Sequence, residues 1–229
     1  MKAFEPVAIV GQGCVLPGAN TPGKLTQLVM ENRTVYGTVT PEELGLYRSA
    51  AQGRSFVSGR IKGFEQLFDP DRLKLKSVNP DELDPVCSWP LHAALDAWED
   101  ADRPKVRPTS MGVFVANLSY PSTSHVKFAS QLWQHQETPP AHSVLNSALP
   151  AKLIAESLRS TGPCFSLDAA CASSLYVIDI ACGKLNARQI DCAVIAGVNA
   201  ADNLILHIGF EALNALSPTG RSRPFVKGA

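Results

Sequence analysis

Of the cysteines in the chain, Cys171 is the one placed for chemistry. It lies in Gly162-Pro163-Cys164-Phe165-Ser166-Leu167-Asp168-Ala169-Ala170-Cys171-Ala172-Ser173-Ser174-Leu175. The residues before it read as a strand, the small residues around it as a tight turn, and the apolar run after it as a helix. That is the strand-turn-helix layout of a nucleophile elbow. At such a turn the positive end of a helix dipole and free backbone N–H groups favour thiolate. The small neighbours Ala169, Ala170, Ala172 and Ser173 leave room for a bulky acyl thioester. The Cys171 N–H is a candidate donor to a developing oxyanion. On spacing alone a second reading stays open: a buried structural thiol, the usual state of free cysteine. Cys14, Cys87, Cys164, Cys182 and Cys192 form no CxxC pair and read as small core hydrophobes, the usage of a reducing compartment.

The elements that must hold this turn can be followed along the chain. Residues 6–11 read as a buried strand closed by Gly11. Thr21-Pro22 opens a helix in the order cap, then proline. Residues 33–84, with scattered Gly and charge, predict surface loops with short helices. Trp89, Leu91, Ala94, Leu95 and Trp98 recur at helical spacing over 86–101. Residues 105–108 read as a turn, 111–116 as strand, 120–140 as mixed, and 142–160 as helix with Pro150 a kink or a new start. Strand 164–168, helix 172–185, strand 190–198 and helix 204–216 follow, then a loop from Ser217 onward. This alternation predicts an α/β layered domain around a largely parallel, buried sheet.

Composition excludes several classes. Lys+Arg and Asp+Glu number 21 each, so the formal charge is zero and no basic footprint for nucleic acid or an anionic membrane exists. Charged residues are only 18%, below the roughly 25% of an average globular domain, which hints at surface covered by a partner. The first residues do not read as a signal peptide, and no apolar run of membrane-spanning length occurs. A cytoplasmic protein is expected.

The chain resembles the N-terminal half of a β-ketoacyl synthase of the polyketide and polyunsaturated fatty acid synthase type. The resemblance starts at Val7-Ala8-Ile9-Val10-Gly11 and Leu16-Pro17-Gly18. It continues through Phe68-Asp69-Pro70, Leu83-Asp84-Pro85 and Ala94-Leu95-Asp96-Ala97-Trp98-Glu99-Asp100-Ala101. It centres on Asp168-Ala169-Ala170-Cys171-Ala172-Ser173-Ser174-Leu175 and ends at Leu216-Ser217-Pro218-Thr219-Gly220-Arg221-Ser222-Arg223-Pro224-Phe225. It implies a thiolase-like layered fold, mostly parallel mixed sheet with helices on both faces, and a homodimer. It assigns Cys171 as the catalytic nucleophile that takes an acyl group from phosphopantetheine of an acyl carrier protein or from coenzyme A. Decarboxylation of malonyl-carrier protein then gives a carbanion that attacks acyl-Cys171 and yields a β-ketoacyl thioester. No tightly bound cofactor and no metal are implied.

Two departures matter. Ala169-Ala170-Cys171-Ala172-Ser173 stands where many ketosynthases have Thr-Ala-Cys-Ser-Ser. By the resemblance, the family's two catalytic histidines and its Gly-Phe-rich loop fall past Ala229. Residues 1–229 are therefore expected to be a truncated N-terminal domain, incomplete for condensation by itself, with a complementing C-terminal half as a second candidate partner. His92, His125, His135, His142 and His207 take none of the catalytic roles, and His207 reads as a packed core or interface residue. Gly11-Gln12-Gly13 lacks the third glycine of a dinucleotide fingerprint, Leu16 standing there. Arg221 and Arg223 read as carrier-phosphate contacts or loop residues. Two rival functions remain at this point: a non-catalytic assembly or acyl-binding module, and a hydrolase using Cys171.

Overall fold

The computed structural model describes residues 5–40, 56–102, 110–136, 147–217 and 219–220. Helix α1 (Pro22–Met30) starts as its sequence predicts: Thr21 Oγ1 accepts the Lys24 N–H at 3.2 Å, and Pro22 takes a first-turn position where no N–H is needed. Two-residue strands β1 (Gly37–Thr38) and β2 (Val57–Ser58) pair antiparallel. Single 3₁₀ turns at Phe64–Gln66, Pro70–Arg72 and Pro80–Glu82 make up much of the irregular stretch that follows. Helix α2 (Pro85–Asp100) is capped by Asp84, whose Oδ1 accepts the Val86 N–H at 2.8 Å.

Strand β3 (Met111–Asn117) is the centre of the molecule, and all seven of its residues are buried. After it come α3 (Thr123–Trp133), α4 (Leu149–Leu158), β4 (Cys164–Leu167), α5 (Ser173–Asn186), β5 (Cys192–Val198) and α6 (Asn203–Ala212). The sheet order is β4-β3-β5, and both pairings are parallel. Alternation along β3 divides the core, as period-two side chains must. Met111, Val113 and Val115 pack with Leu91 of α2 and Leu153 and Ile154 of α4. Phe114 and Ala116 pack with Val177 and Ala181 of α5 and with Ile190. The result is three layers, helices on both faces of a parallel sheet, which is the α/β class the sequence predicts.

Helix α4 begins at Leu149 with Pro150 in its first turn, so the proline marks a start and not a kink. It ends on Arg159 in the left-handed region (φ 53°). Gly162 follows where its backbone meets β3: its N–H donates to the Met111 carbonyl at 2.9 Å, and a Cβ there would lie 2.4 Å from that oxygen.

The expected strand at 6–11 does not form. Gly11 and Gly13 lie against α2 so closely that a Cβ on either would be 2.1 Å from the carbonyl oxygen of Ala97 or Ala93. The Gln12 N–H donates to Asp100 Oδ2 and the Glu5 N–H to Asn186 Oδ1, each at 2.9 Å. The segment is thus held between the C-terminal ends of α2 and α5, with Ile9 and Val10 exposed. Between it and β5 lies a cavity of about 1540 Å³ lined by Val7, Ile9, Trp98, Ile178, Val194 and Ala196 among others. An apolar run becomes a strand only where a ladder partner lies within hydrogen-bonding reach, and here helix contacts take that place. The expected turn at 105–108, Gly45, Gly53, His142, Arg221 and Arg223 lie outside the described residues.

The layering makes one stability prediction. Leu153 is 1% exposed and Leu132 of α3 is 60% exposed. Leu153→Ala should lower the unfolding free energy by about 2–5 kcal/mol, and Leu132→Ala should change it by no more than about 0.5 kcal/mol, both read from urea melts.

Candidate active site

Strand β4 delivers the chain to the turn. Its register on β3 pairs Ala116 with Leu167 and Val115 with Ser166, so the turn emerges at the carboxyl ends of the parallel strands. Ligands of open α/β sheets bind at that end. Residues Ala170–Ala172 form a single 3₁₀ turn that runs directly into α5. Cys171 lies in that turn, exposed, in the strand-turn-helix position the sequence predicts. Helix α5 has no side-chain cap at its N-terminus. Among the described residues, no carbonyl or side chain accepts the Cys171 N–H. The thiol and an uncommitted donor therefore share one residue.

The backbone leading into Cys171 is held in a specific shape. Ala170 sits in the left-handed region at φ 51°, a conformation that costs an L-residue roughly 1–2 kcal/mol. Asp168 Oδ1 accepts the Ala170 N–H at 2.9 Å, and its Oδ2 accepts the Ser119 N–H at 3.0 Å from the loop after β3. The buried Ser173 hydroxyl accepts the Ala169 N–H and donates to the Ala170 carbonyl, both at 2.7 Å. The bonds to Asp168 hold its carboxyl below the usual carboxylate range, the Ser119 N–H contributing most and the Ala170 N–H next. An aspartate accepting an N–H two residues on is an Asx-type turn, a signal present in the sequence that the motif reading left unused. The contributions of Ser119 and Ser173 come from tertiary placement and from the turn geometry.

Cys171 lines neither of the two principal cavities of the described residues. The larger lies on the far side of β5, and the smaller lies around Phe56, Leu204 and His207. The Cys171 residue stands exposed.

The remaining cysteines correct a second expectation. Only Cys87 is buried; Cys14, Cys182 and Cys192 are half-buried and Cys164, on β4, is exposed. Burial foremost, with nearby Asp84, pushes the Cys87 thiol up to about 12. Burial likewise raises Cys14 and Cys192. Cys164 escapes burial because β4 has no neighbour on its outer side among the described residues.

His92, His125 and His207 have their partners outside the turn. His92 is buried on α2, with Nε2 3.3 Å from Asp96 Oδ2, and burial pushes its pKa down. His125 completes a capping box with Ser122 at the start of α3. His207 packs edge-on against Phe56 with ring centroids 4.5 Å apart, in keeping with a packed residue. Among the described residues no cluster of three His, Cys, Asp or Glu side chains could hold a metal ion, and no helix is long and apolar enough to cross a membrane.

Against this geometry, the likeness to known proteins is specific. The family model for the β-ketoacyl synthase N-terminal domain matches residues 4–229. A phenolphthiocerol/phthiocerol polyketide synthase polypeptide of Mycobacterium tuberculosis is 30% identical over 231 residues, covering 96% of this chain and 12% of that protein. Lovastatin nonaketide synthase mokA of Monascus pilosus is 28% identical over 237 residues, covering 98% and 8%. The chain therefore spans a small fraction of the length of these relatives. Among solved structures, the PfaC keto synthase-chain length factor superposes with a TM-score of 0.83 at 23% identity, over 96% of this chain and 27% of that one. The oxazolomycin ketosynthase domain OzmH KS7 of Streptomyces albus gives 0.74 at 24% identity, over 96% and 40%. These likenesses establish the thiolase-like ketosynthase fold.

The pH dependence of the turn follows from the depressed Asp168 carboxyl. A depressed carboxyl contributes fully above the unfolded-state value, about 3.9, and its contribution is lost as pH falls through the lower folded value. The amide resonances of Ser119 and Ala170 should hold steady from neutral pH down to about pH 4 and shift together below it. A midpoint above that value, measured by NMR titration, would contradict the assignment.

Proposed function

Because the chain belongs to the β-ketoacyl synthase family, we propose that it carries the nucleophile of a decarboxylative condensing enzyme, with Cys171 as the acylated residue. The thiolate of Cys171 attacks the carbonyl of an acyl thioester carried on phosphopantetheine of an acyl carrier protein or on coenzyme A. The tetrahedral oxygen takes the Cys171 N–H, and collapse expels the carrier thiolate, leaving acyl-Cys171. A malonyl thioester then loses carbon dioxide, and its carbanion attacks the acyl carbonyl. The Cys171 thiolate leaves, and a β-ketoacyl thioester forms. The observation that carries this reading is the exposed Cys171 with its free N–H on the turn between β4 and α5. The partners of His92, His125 and His207 lie outside that turn, and the decarboxylation step is assigned to groups of the wider ketosynthase.

The same reading extends to partners. Two surfaces support a covered state, and both are apolar. One is the outer edge of β4 with the exposed Leu175 and Tyr176 of α5. The other is the cavity between β5 and residues 7–17, which would receive a complementing half. A homodimer through β4 agrees with the low charge of the chain, since stable interfaces deplete charge at their centre.

Two measurements test these statements. Incubation with an acyl-coenzyme A should add one acyl mass to Cys171 and release one thiol. Cys171→Ala should abolish this and Cys164→Ala should leave it unchanged, and acyl mass on Cys164 in the wild-type chain would overturn the assignment. In sedimentation velocity the chain should run as a dimer, and Leu175→Glu with Tyr176→Glu should shift it to monomer; a wild-type monomer would overturn the β4 interface.

A further inference from the structure

We propose that Asp168 is the positioning residue of the Cys171 thiol: it holds Ala170 in its left-handed conformation and ties the nucleophile turn to Ser119, fixing where the sulfur stands. The proposal rests on the reading of Cys171 as nucleophile and adds a second residue to that site.

The argument begins with Ala170. A left-handed non-glycine residue persists only where its surroundings over-determine it. At Ala170 the surroundings are four hydrogen bonds from two side chains and one distant backbone N–H. Asp168 takes the Ala170 N–H with one oxygen and the Ser119 N–H with the other. Ser173 closes the opposite side on Ala169 N and Ala170 O. The two roles differ in reach. Ser173 makes only local bonds, within four residues. Asp168 alone bridges to the loop after β3, 49 residues away in sequence. That loop is itself fixed, because the Ser122 hydroxyl donates to buried Asp84 at 2.7 Å and the Asp202 N–H donates to the Pro121 carbonyl at 2.8 Å. Through Asp168 the turn is therefore referenced to the body of the domain.

The alternative role for a carboxylate three residues before a thiol is electrostatic, and the two roles predict opposite signs. A negative charge beside a sulfur opposes thiolate, so removing it speeds alkylation if Asp168 acts through charge. If Asp168 acts by position, its removal lets Ala170 leave the left-handed conformation and carries the sulfur away from its exposed place at the start of α5, and alkylation slows.

The test uses the full chain and iodoacetamide at neutral pH, with peptide mass mapping. Free glutathione alkylated in parallel serves as the reference. Asp168→Ala should lower the labelling ratio of Cys171 to glutathione by about fivefold to thirtyfold, the population equivalent of the left-handed cost. Asp168→Asn, which keeps the shape and one acceptor oxygen, should lower it by less. Ala170→Gly placed in the Asp168→Ala background should restore the ratio, because glycine adopts this conformation without penalty. Thermal melts identify any variant that has unfolded; if Asp168→Ala does so, Asp168→Asn with and without Ala170→Gly decides the matter. A ratio that rises or stays the same on removing the carboxylate, or that glycine fails to restore, overturns the proposal. Wild-type Cys171 that alkylates but takes no acyl group from acyl-coenzyme A overturns the ketosynthase reading instead, and the labelling ratio still judges Asp168.

Discussion

The parallel pairing of β3 with both of its neighbours is the constraint on which the rest of the structure depends. Every residue of β3 is buried, so its register cannot slip by one without turning Val113 and Val115 away from α2 and α4 and sending Phe114 out of the α5 layer. The same register aligns Asn117 with Val198 and Ala116 with Leu167. The carboxyl ends of the three strands are thereby brought level, and the loop after β3 is set beside the turn after β4. Ser119 can reach Asp168 only because of that alignment. The core thus fixes the geometry of the surface turn through strand register.

Among the described residues, both flanks of this sheet are sparsely covered, and for different reasons. On the β4 side the strand is short, and α5 turns only Ser173, Val177 and Ala181 fully inward, leaving Leu175 and Tyr176 exposed. On the β5 side the amino-terminal segment stands off, pinned by Gly11 and Gly13 on α2 and by Glu5 on α5. Glycine is required at these two positions because helix carbonyls occupy the space of any side chain. An apolar strand edge facing an apolar segment across open space is a poor arrangement in water. It fits a family whose matched relatives run far longer than this chain.

What could be read from the sequence was whatever rests on local pattern. The elbow at Cys171, the strands at β3 and β5, the helices α2 and α5 and the layered α/β class all follow from apolar period and from the small residues of the turn. The α1 start followed from Thr21-Pro22. The behaviour of residues 6–11 could not be read, because an apolar run expresses a tendency to be covered but not whether a ladder partner lies within reach, and here residues 5–10 stay exposed. The burial of the cysteines is not legible in the sequence for a related reason. Cys164 and Cys192 sit in apolar company along the chain, but one lies on an outer strand and the other at the start of β5. The left-handed Ala170 carries no residue-type signal, since alanine is the last residue expected there apart from the β-branched ones. The bond from Asp168 to Ser119 joins positions that only the register of β3 and β4 brings together.

The loop after β3 shows how such a distant bond gains its stiffness. Two buried aspartates, each also a helix cap, hold it from opposite sides. Asp84 accepts the Val86 N–H at the start of α2 with one oxygen and the Ser122 hydroxyl with the other. Asp202 accepts the Leu204 and Ile205 N–H groups at the start of α6 with one oxygen and the Thr123 hydroxyl with the other. Each carboxylate therefore neutralises free donors at a helix N-terminus, where negative charge is favoured, and spends its second oxygen on the loop. Ser122 and Thr123 in turn open α3. Three helix starts converge on two consecutive residues, and the chain between them and β3 has little freedom left. When Ser119 then offers its N–H to Asp168, the donor comes from a fixed position, and the geometry imposed on Ala170 and on the thiol after it is inherited from those two caps.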